Sequence, residues 1–526
     1  MIETLPLAAA DLEWTLAGIL LGVSVLLVLA YVTAVPYPIW LTVGGALLAF
    51  APGVPDVRLE PDLVLIIALP PLLYAAALFS DLRELRRNAR PIGQLAVGLV
   101  LATTFAVAAV AHEVIDGLSW EAAIVLGAVL GPTDPVAATS IAGRVGAPRR
   151  IVTKLEGESL VNDATALTAF KFAVAAATAG TFSLSEAAGE FVLSLAGGVA
   201  IGAVVSYVVI LVRRRIIDGP MQAFFSIVTP YFAYLPADAI GASGVLAAVT
   251  TGIAVGWQAP RLVNAEVRLQ LYAMWEVLVF LLNSMLFILV GLQLPSVIDA
   301  LNERDPETLA WYALAIALTV MAIRLVWVMP FMYLLFRGGE EVRRSWRGAF
   351  VVGFTGMRGA VSLAAALAIP ESVPARDLIV FLCYTTILWT VCVEGLSLPW
   401  LLRMLGVHEG DLPQHEEDEA RLLVADAALR RVDELLVEDW VGEETAERVR
   451  GVYTFRRNRF AQRLGKEVDG ADEDIDGRSQ HYQRLTREIL AAERAALLDL
   501  RRAGRIGDET LRRVQRDLDL EETRLQ

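Results

Sequence analysis

Gly131-Pro-Thr-Asp-Pro-Val-Ala-Ala-Thr-Ser140 and, shortly after it, Gly157-Glu-Ser-Leu-Val-Asn-Asp-Ala-Thr-Ala-Leu167 decide how this chain folds. The first stretch sets Asp134 between two prolines in the middle of an apolar segment. The second sets Glu158, Asn162 and Asp163 inside the next one. Ionisable groups at membrane depth are costly and mark functional positions. A proline-broken helix beside a buried carboxylate exposes backbone carbonyls to a cation. The competing reading is a polar packing seam between helices. It accounts poorly for several acids and prolines coinciding in neighbouring segments.

The surrounding composition agrees. Of 526 residues 56% are hydrophobic, and the mean hydropathy is +0.54. Long apolar runs recur to about residue 405, whereas the rest is charged and has no run long enough to span. The sequence therefore divides into a transmembrane domain, 1–407, and a cytoplasmic helical domain, 408–526. The net charge of −14 gives no sign of a nucleic-acid partner. Cys383 and Cys392 share the last apolar segment and read as reduced packing residues. The N-terminus lacks a basic start and a cleavage site, so the first segment is expected to remain as a span.

The expected architecture is all-α, a polytopic membrane protein of about thirteen transmembrane helices with a helical cytoplasmic tail. The segments are 14–34, 38–53, 61–79, 92–112, 120–143, 155–179, 188–212, 221–236, 240–257, 272–294, 308–336, 348–369 and 377–402. With that count, one set of loops carries Arg83, Arg86, Arg87 and Arg90; Arg144, Arg149, Arg150 and Lys154; Arg213 to Arg215; Arg261 and Arg268; and Arg337, Arg343, Arg344 and Arg347. The opposite loops carry only Arg58, Arg304 and Arg376. The positive-inside rule then places the N-terminus outside and the C-terminus in the cytoplasm of the cell. The fifth segment is broken by Pro132 and Pro135, and the twelfth by the glycines of Gly353-Phe-Thr-Gly-Met-Arg-Gly-Ala-Val-Ser362. They occupy equivalent places in the two halves, which predicts an inverted repeat with two broken helices crossing at the midplane.

Asp163 and Asn162 lie four and three residues from Ser159, which puts all three near one face of the sixth span. With Asp134 and carbonyls freed by the break they form a hard-oxygen set suited to alkali cations. Zinc is disfavoured, since His112 is the only histidine before the tail. Burial disfavours a bare carboxylate, so Asp163 can hold a proton or a cation in turn, and that competition couples the two. Arg358 needs a buried partner, and Glu158 is the leading candidate. Glu156, Glu276, Arg324, Glu394 and Asp238 read as structural pairs, and Lys171 as snorkelling to the outer surface.

At these residues the chain resembles the cation:proton antiporter superfamily, in its NhaP-type branch, which includes the animal sodium/hydrogen exchangers. The matching stretches are Leu69-Pro-Pro-Leu-Leu73, Gly131 to Ser140, Gly157 to Leu167, Trp275-Glu276 through Leu294, and Gly353 to Ser362. The resemblance implies a thirteen-helix homodimer with core and dimerisation domains. It implies an Na⁺ site at Asp163, Asp134 and Ser159, aided by the Thr133 carbonyl, with Asn162 in support and Glu158 paired to Arg358. One departure is that Tyr74-Ala75-Ala76-Ala77 carries no acid where some relatives have one.

The activity expected is exchange of Na⁺, or Li⁺ or K⁺, for H⁺, electroneutral and one for one, with no cofactor and no enzymatic step. A cation channel would also use broken helices and carboxylates, but no filter-like repeat is present. A sodium-coupled organic-anion symporter would need basic or aromatic substrate contacts beyond Arg358. From Glu416 onward, Leu, Ala, Arg and Glu at helical spacing predict three or four amphipathic helices, open to a regulatory or dimer-stabilising role.

Overall fold

The computed structural model describes residues 5–33, 35–51, 61, 64–136, 138–140, 149–179, 184–301, 304–335, 341–407, 412–438, 440–466, 475–503, 505 and 507–523. Arg58, Arg144, Arg337, Gly470 and Gly504 lie outside the described residues. All regular secondary structure among the described residues is helical, with no strand. The chain separates into two compact units, Met1–His408 and Glu409–Gln526.

In the first unit the helices are α1 (Leu5–Thr33), α2 (Tyr37–Leu48), α3 (Val64–Phe79), α4 (Ala89–Val114), α5 (Trp120–Val129), α6 (Arg149–Ala179) and α7 (Leu184–Arg213). They continue as α8 (Gly219–Ala239), α9 (Gly244–Leu262), α10 (Ala265–Leu292), α11 (Pro306–Leu335), α12 (Glu341–Phe354), α13 (Ala360–Leu367) and α14 (Arg376–Leu405). Six helices among the described residues are long and apolar enough to cross a membrane, and four shorter apolar helices accompany them. Small residues let these helices approach closely. A Cβ on Gly45 of α2 would lie 2.7 Å from the Ile288 carbonyl of α10.

Both expected breaks are present. α5 ends at Val129, residues 132–134 are not helical, and helix resumes at Pro135. α12 ends at Phe354, residues 355–359 are not helical, and α13 begins at Ala360. The two breaks meet directly, since the Asp134 amide donates to the Met357 carbonyl at 2.8 Å. Each break thus gives the other a backbone hydrogen-bond partner away from water. Gly359 is required by this crossing, because a Cβ there would run into the Asp134 carboxylate.

The second unit contains α15 (Leu412–Leu435), α16 (Glu443–Arg463), α17 (Ile475–Arg502) and α18 (Asp508–Thr523). Arg457 of α16 reaches Asp426 of α15 at 3.0 Å, and Arg494 of α17 reaches Asp519 and Glu522 of α18, both at 2.6 Å. Such exposed pairs add little stability each.

Candidate functional site

The crossing brings opposed helix ends together. On one side, α5 and α12 both present C-terminal ends, where partial negative charge gathers. Arg358 answers them, donating from Nε to the Leu130 carbonyl at 3.2 Å and from Nη1 to the Gly356 carbonyl. On the other side, the helix resuming at Pro135 and α13 present N-terminal ends. Asp134 caps the first, accepting from the Val136 amide at 2.8 Å, and lies against Gly359 at the start of the second. Glu394 sits in a π-helical turn, Thr390–Glu394, that precedes the last stretch of α14. Its carboxylate accepts from the Gly356 amide at 2.8 Å, while the Thr390 hydroxyl accepts from the Arg358 amide at 3.1 Å.

Glu158 does not pair with Arg358. It forms a bidentate ion pair with Arg324 of α11, at 2.5 and 2.8 Å, and accepts from the Thr133 hydroxyl at 3.2 Å. Arg324 also donates to the Val352 carbonyl at 3.2 Å. Arg358 instead donates to carbonyls of the crossing, and no carboxylate among the described residues lies within ion-pair distance of it. Arg324 and Glu394 were legible as structural groups, but not as members of this network. Arg324 lies near the middle of an apolar run of thirty residues, and that depth was the available signal.

A cavity of about 870 Å³ runs into this crossing. Asp163, Asp134, Ser159 and Thr133 line it, and so do Glu156 and Glu276, which the sequence had suggested were structural pairs. Asp163 and Ser159 are buried and have no protein hydrogen-bond partner among the described residues. Asn162 is not on the cavity. Its Nδ2 donates to the Thr133 hydroxyl at 2.9 Å and to the Thr133 carbonyl at 3.3 Å, so it holds the break in place. The face shared by Ser159 and Asp163 excludes it because successive helical residues are about 100° apart. Glu158 and Asn162 share the neighbouring face, which is turned to the broken helix.

The exposed lining residues Phe79, Tyr272 and Glu156 lie at the helix ends nearest Arg83, Arg268 and Arg149. The cavity therefore opens at the end that carries the basic loops. At the opposite end of α6, Lys171 does not stand alone but pairs with Asp238 of α8 at 2.8 Å. Cys383 and Cys392 are both free.

The family described as "Sodium/hydrogen exchanger, transmembrane" matches residues 14–404. An uncharacterised Na⁺/H⁺ exchanger of Mycobacterium tuberculosis is 36% identical over 508 residues, covering 93% of this chain and 91% of the relative. A low-affinity Na⁺/H⁺ antiporter of Synechocystis is 32% identical over 406 residues, 76% of this chain and 74% of that one. A sodium, potassium, lithium and rubidium/H⁺ antiporter of Bacillus subtilis is 35% identical over 390 residues, 70% of this chain and 58% of that one. Among solved structures, the sodium proton antiporter MjNhaP1 of Methanocaldococcus jannaschii superposes with a TM-score of 0.60 at 18% identity. That match covers 75% of this chain and 100% of MjNhaP1.

Proposed function

Since the chain belongs to the sodium/hydrogen exchanger family, as a multi-pass membrane antiporter of cations and protons, we propose that Asp163 is the group that carries them in turn. One observation carries this reading. Of the four acids at the crossing, Glu158 is neutralised by Arg324 and Glu394 accepts from the Gly356 amide away from the cavity, whereas Asp163 and Asp134 face the cavity with no basic partner among the described residues. A charged carboxylate so placed needs a cation or a proton to balance it. Asp163, Asp134, the Ser159 hydroxyl and the Thr133 carbonyl supply hard oxygens for Na⁺. The same oxygens admit Li⁺ or K⁺, ions that the Bacillus relative's name includes.

In the cycle, Asp163 binds the cation from the cavity, the crossing helices reorient, and the cation leaves on the other face as a proton replaces it. With Asp134 engaged as a helix cap, a single carboxylate exchanges its load, so exchange is one for one and electroneutral. The asymmetry of basic residues between the two sets of loops supports a cytoplasmic cavity mouth and C-terminus and an N-terminus outside the plasma membrane. The functional unit is a homodimer. The test is proton flux in everted vesicles after a Na⁺ pulse: Asp163→Asn at normal expression should give none. Flux equal to wild type would remove Asp163 from the carrier role.

A further inference from the structure

Beside the ion cavity lies a second, smaller cavity of about 90 Å³, and its chemistry is opposite in sign. Arg213 at the end of α7, Arg268 in the first turns of α10 and Ser226 of α8 line it together with apolar side chains. No carboxylate is among its described lining residues. Arg213 is 3% exposed. Its Nε donates to Gln222 Oε1 at 2.8 Å, and it has no acidic partner among the described residues. The C-terminal end of α7 supplies only about half a compensating charge. Arg268 is placed where the α10 macrodipole disfavours a cation.

The donors are oriented. Gln222 Nε2 spends its hydrogens on the Arg213 and Ile216 carbonyls, at 2.8 and 2.7 Å, which fixes Oε1 toward the Arg213 Nε. The buried Tyr74 hydroxyl lies beside Arg213 and Ser226 and carries no charge to balance the guanidinium. Trp275 Nε1 donates to Ser226 Oγ at 2.9 Å, so the Ser226 hydroxyl hydrogen is directed elsewhere. Two arginines and a serine thus line a space of about three water volumes.

We infer that this cavity is an anion site for a phosphate group, either inorganic phosphate or the headgroup of an anionic lipid. Paired guanidinium donors suit a tetrahedral oxyanion, and the space is too small for a nucleotide. Phe79 and Tyr272, with ring centroids 5.3 Å apart, line both cavities. An anion here therefore braces the wall at the mouth of the ion cavity. The inference does not depend on which residue carries the cation, because its test reads binding and not transport.

The test is thermal unfolding of the full-length protein in detergent, with inorganic phosphate titrated against chloride at matched ionic strength. Wild type and Arg214→Gln, whose exposed side chain is not part of the cavity, should both gain on the order of 1–3 °C. Arg268→Gln should need about tenfold more phosphate for the same gain. Arg213→Gln should lose the response, and Arg268→Gln keeps the test decisive if that buried substitution prevents folding. If free phosphate has no effect, nanodiscs containing phosphatidic acid, compared with phosphatidylcholine alone, should stabilise wild type and not Arg268→Gln. That result would assign the site to lipid. If neither probe stabilises wild type, or Arg268→Gln responds as wild type does, the inference is overturned.

Discussion

Separating Glu158 from Arg324 should be the most destabilising polar change in the membrane unit. Each residue is 1% exposed, and the pair is bidentate. Removing one partner leaves the other charge buried, at about 3–5 kcal/mol in comparable cases. Glu158→Ala also deprives the Thr133 hydroxyl of its acceptor, a further loss of about 1 kcal/mol. Arg324→Ala leaves Glu158 bare but keeps the Thr133 bond, so it should be slightly milder. The double variant Glu158→Leu, Arg324→Leu buries no charge and should recover about 2–3 kcal/mol relative to the sum of the singles. The assay is the apparent Tm in detergent for the singles, the double and a parallel Glu158–Arg358 cycle. Unfolding of such proteins is often irreversible, so shifts are compared at one heating rate. Additive shifts for Glu158 and Arg324, with strong coupling between Glu158 and Arg358, would refute the pairing.

Four further outcomes follow from the same geometry. Gly359→Ala should cost about 1–3 kcal/mol of stability and abolish flux, because its Cβ meets the Asp134 carboxylate; wild-type flux and Tm would show the crossing tolerates separation. Lys171→Gln should change Tm little, since the Lys171–Asp238 pair is 63% and 46% exposed and worth about 0–1 kcal/mol; a large loss would show that the pair is shielded in the assembled protein. Deleting residues after Glu409 should leave basal exchange with altered pH or ion dependence, the candidate site lying wholly in the first unit; a well-inserted but inactive truncation would make the tail part of the machinery. Imposing a membrane potential on proteoliposomes at fixed pH gradient should leave the rate unchanged, because moving one net charge would couple transport at about 2.3 kcal/mol per 100 mV; an altered rate would bring Asp134 into the proton count.

The parts of this site written into local chemistry were legible in the sequence. Pro132, Pro135 and the glycines at 353, 356 and 359 announce broken helices, because they remove donors or side chains wherever they stand. Asp134 and Asp163 announce a site, because a carboxylate in an apolar run needs a reason. Partnerships set by the rotation of one helix against another were not legible. Glu158 had two buried arginines to choose from, and only the packing of α11 against α12 brings Arg324 to it. Asn162 and Asp163 are neighbours in sequence, and their separation into a brace and a cavity-facing acid depends on how α6 turns against the break. Arg213 looked like one of three loop arginines. Its burial follows from the turn closed by Gln222, a contact that no periodicity reveals.

In the proposed cycle one carboxylate holds either the cation or the proton. The most direct measurement is calorimetric titration of Na⁺ into the purified protein in buffers of differing ionisation enthalpy, which counts the protons released per ion bound. Wild type should release about one proton per Na⁺, fewer as the pH is raised, and Asp163→Asn should show no Na⁺-linked release. Two protons per ion, or release from Asp163→Asn equal to wild type, would contradict it.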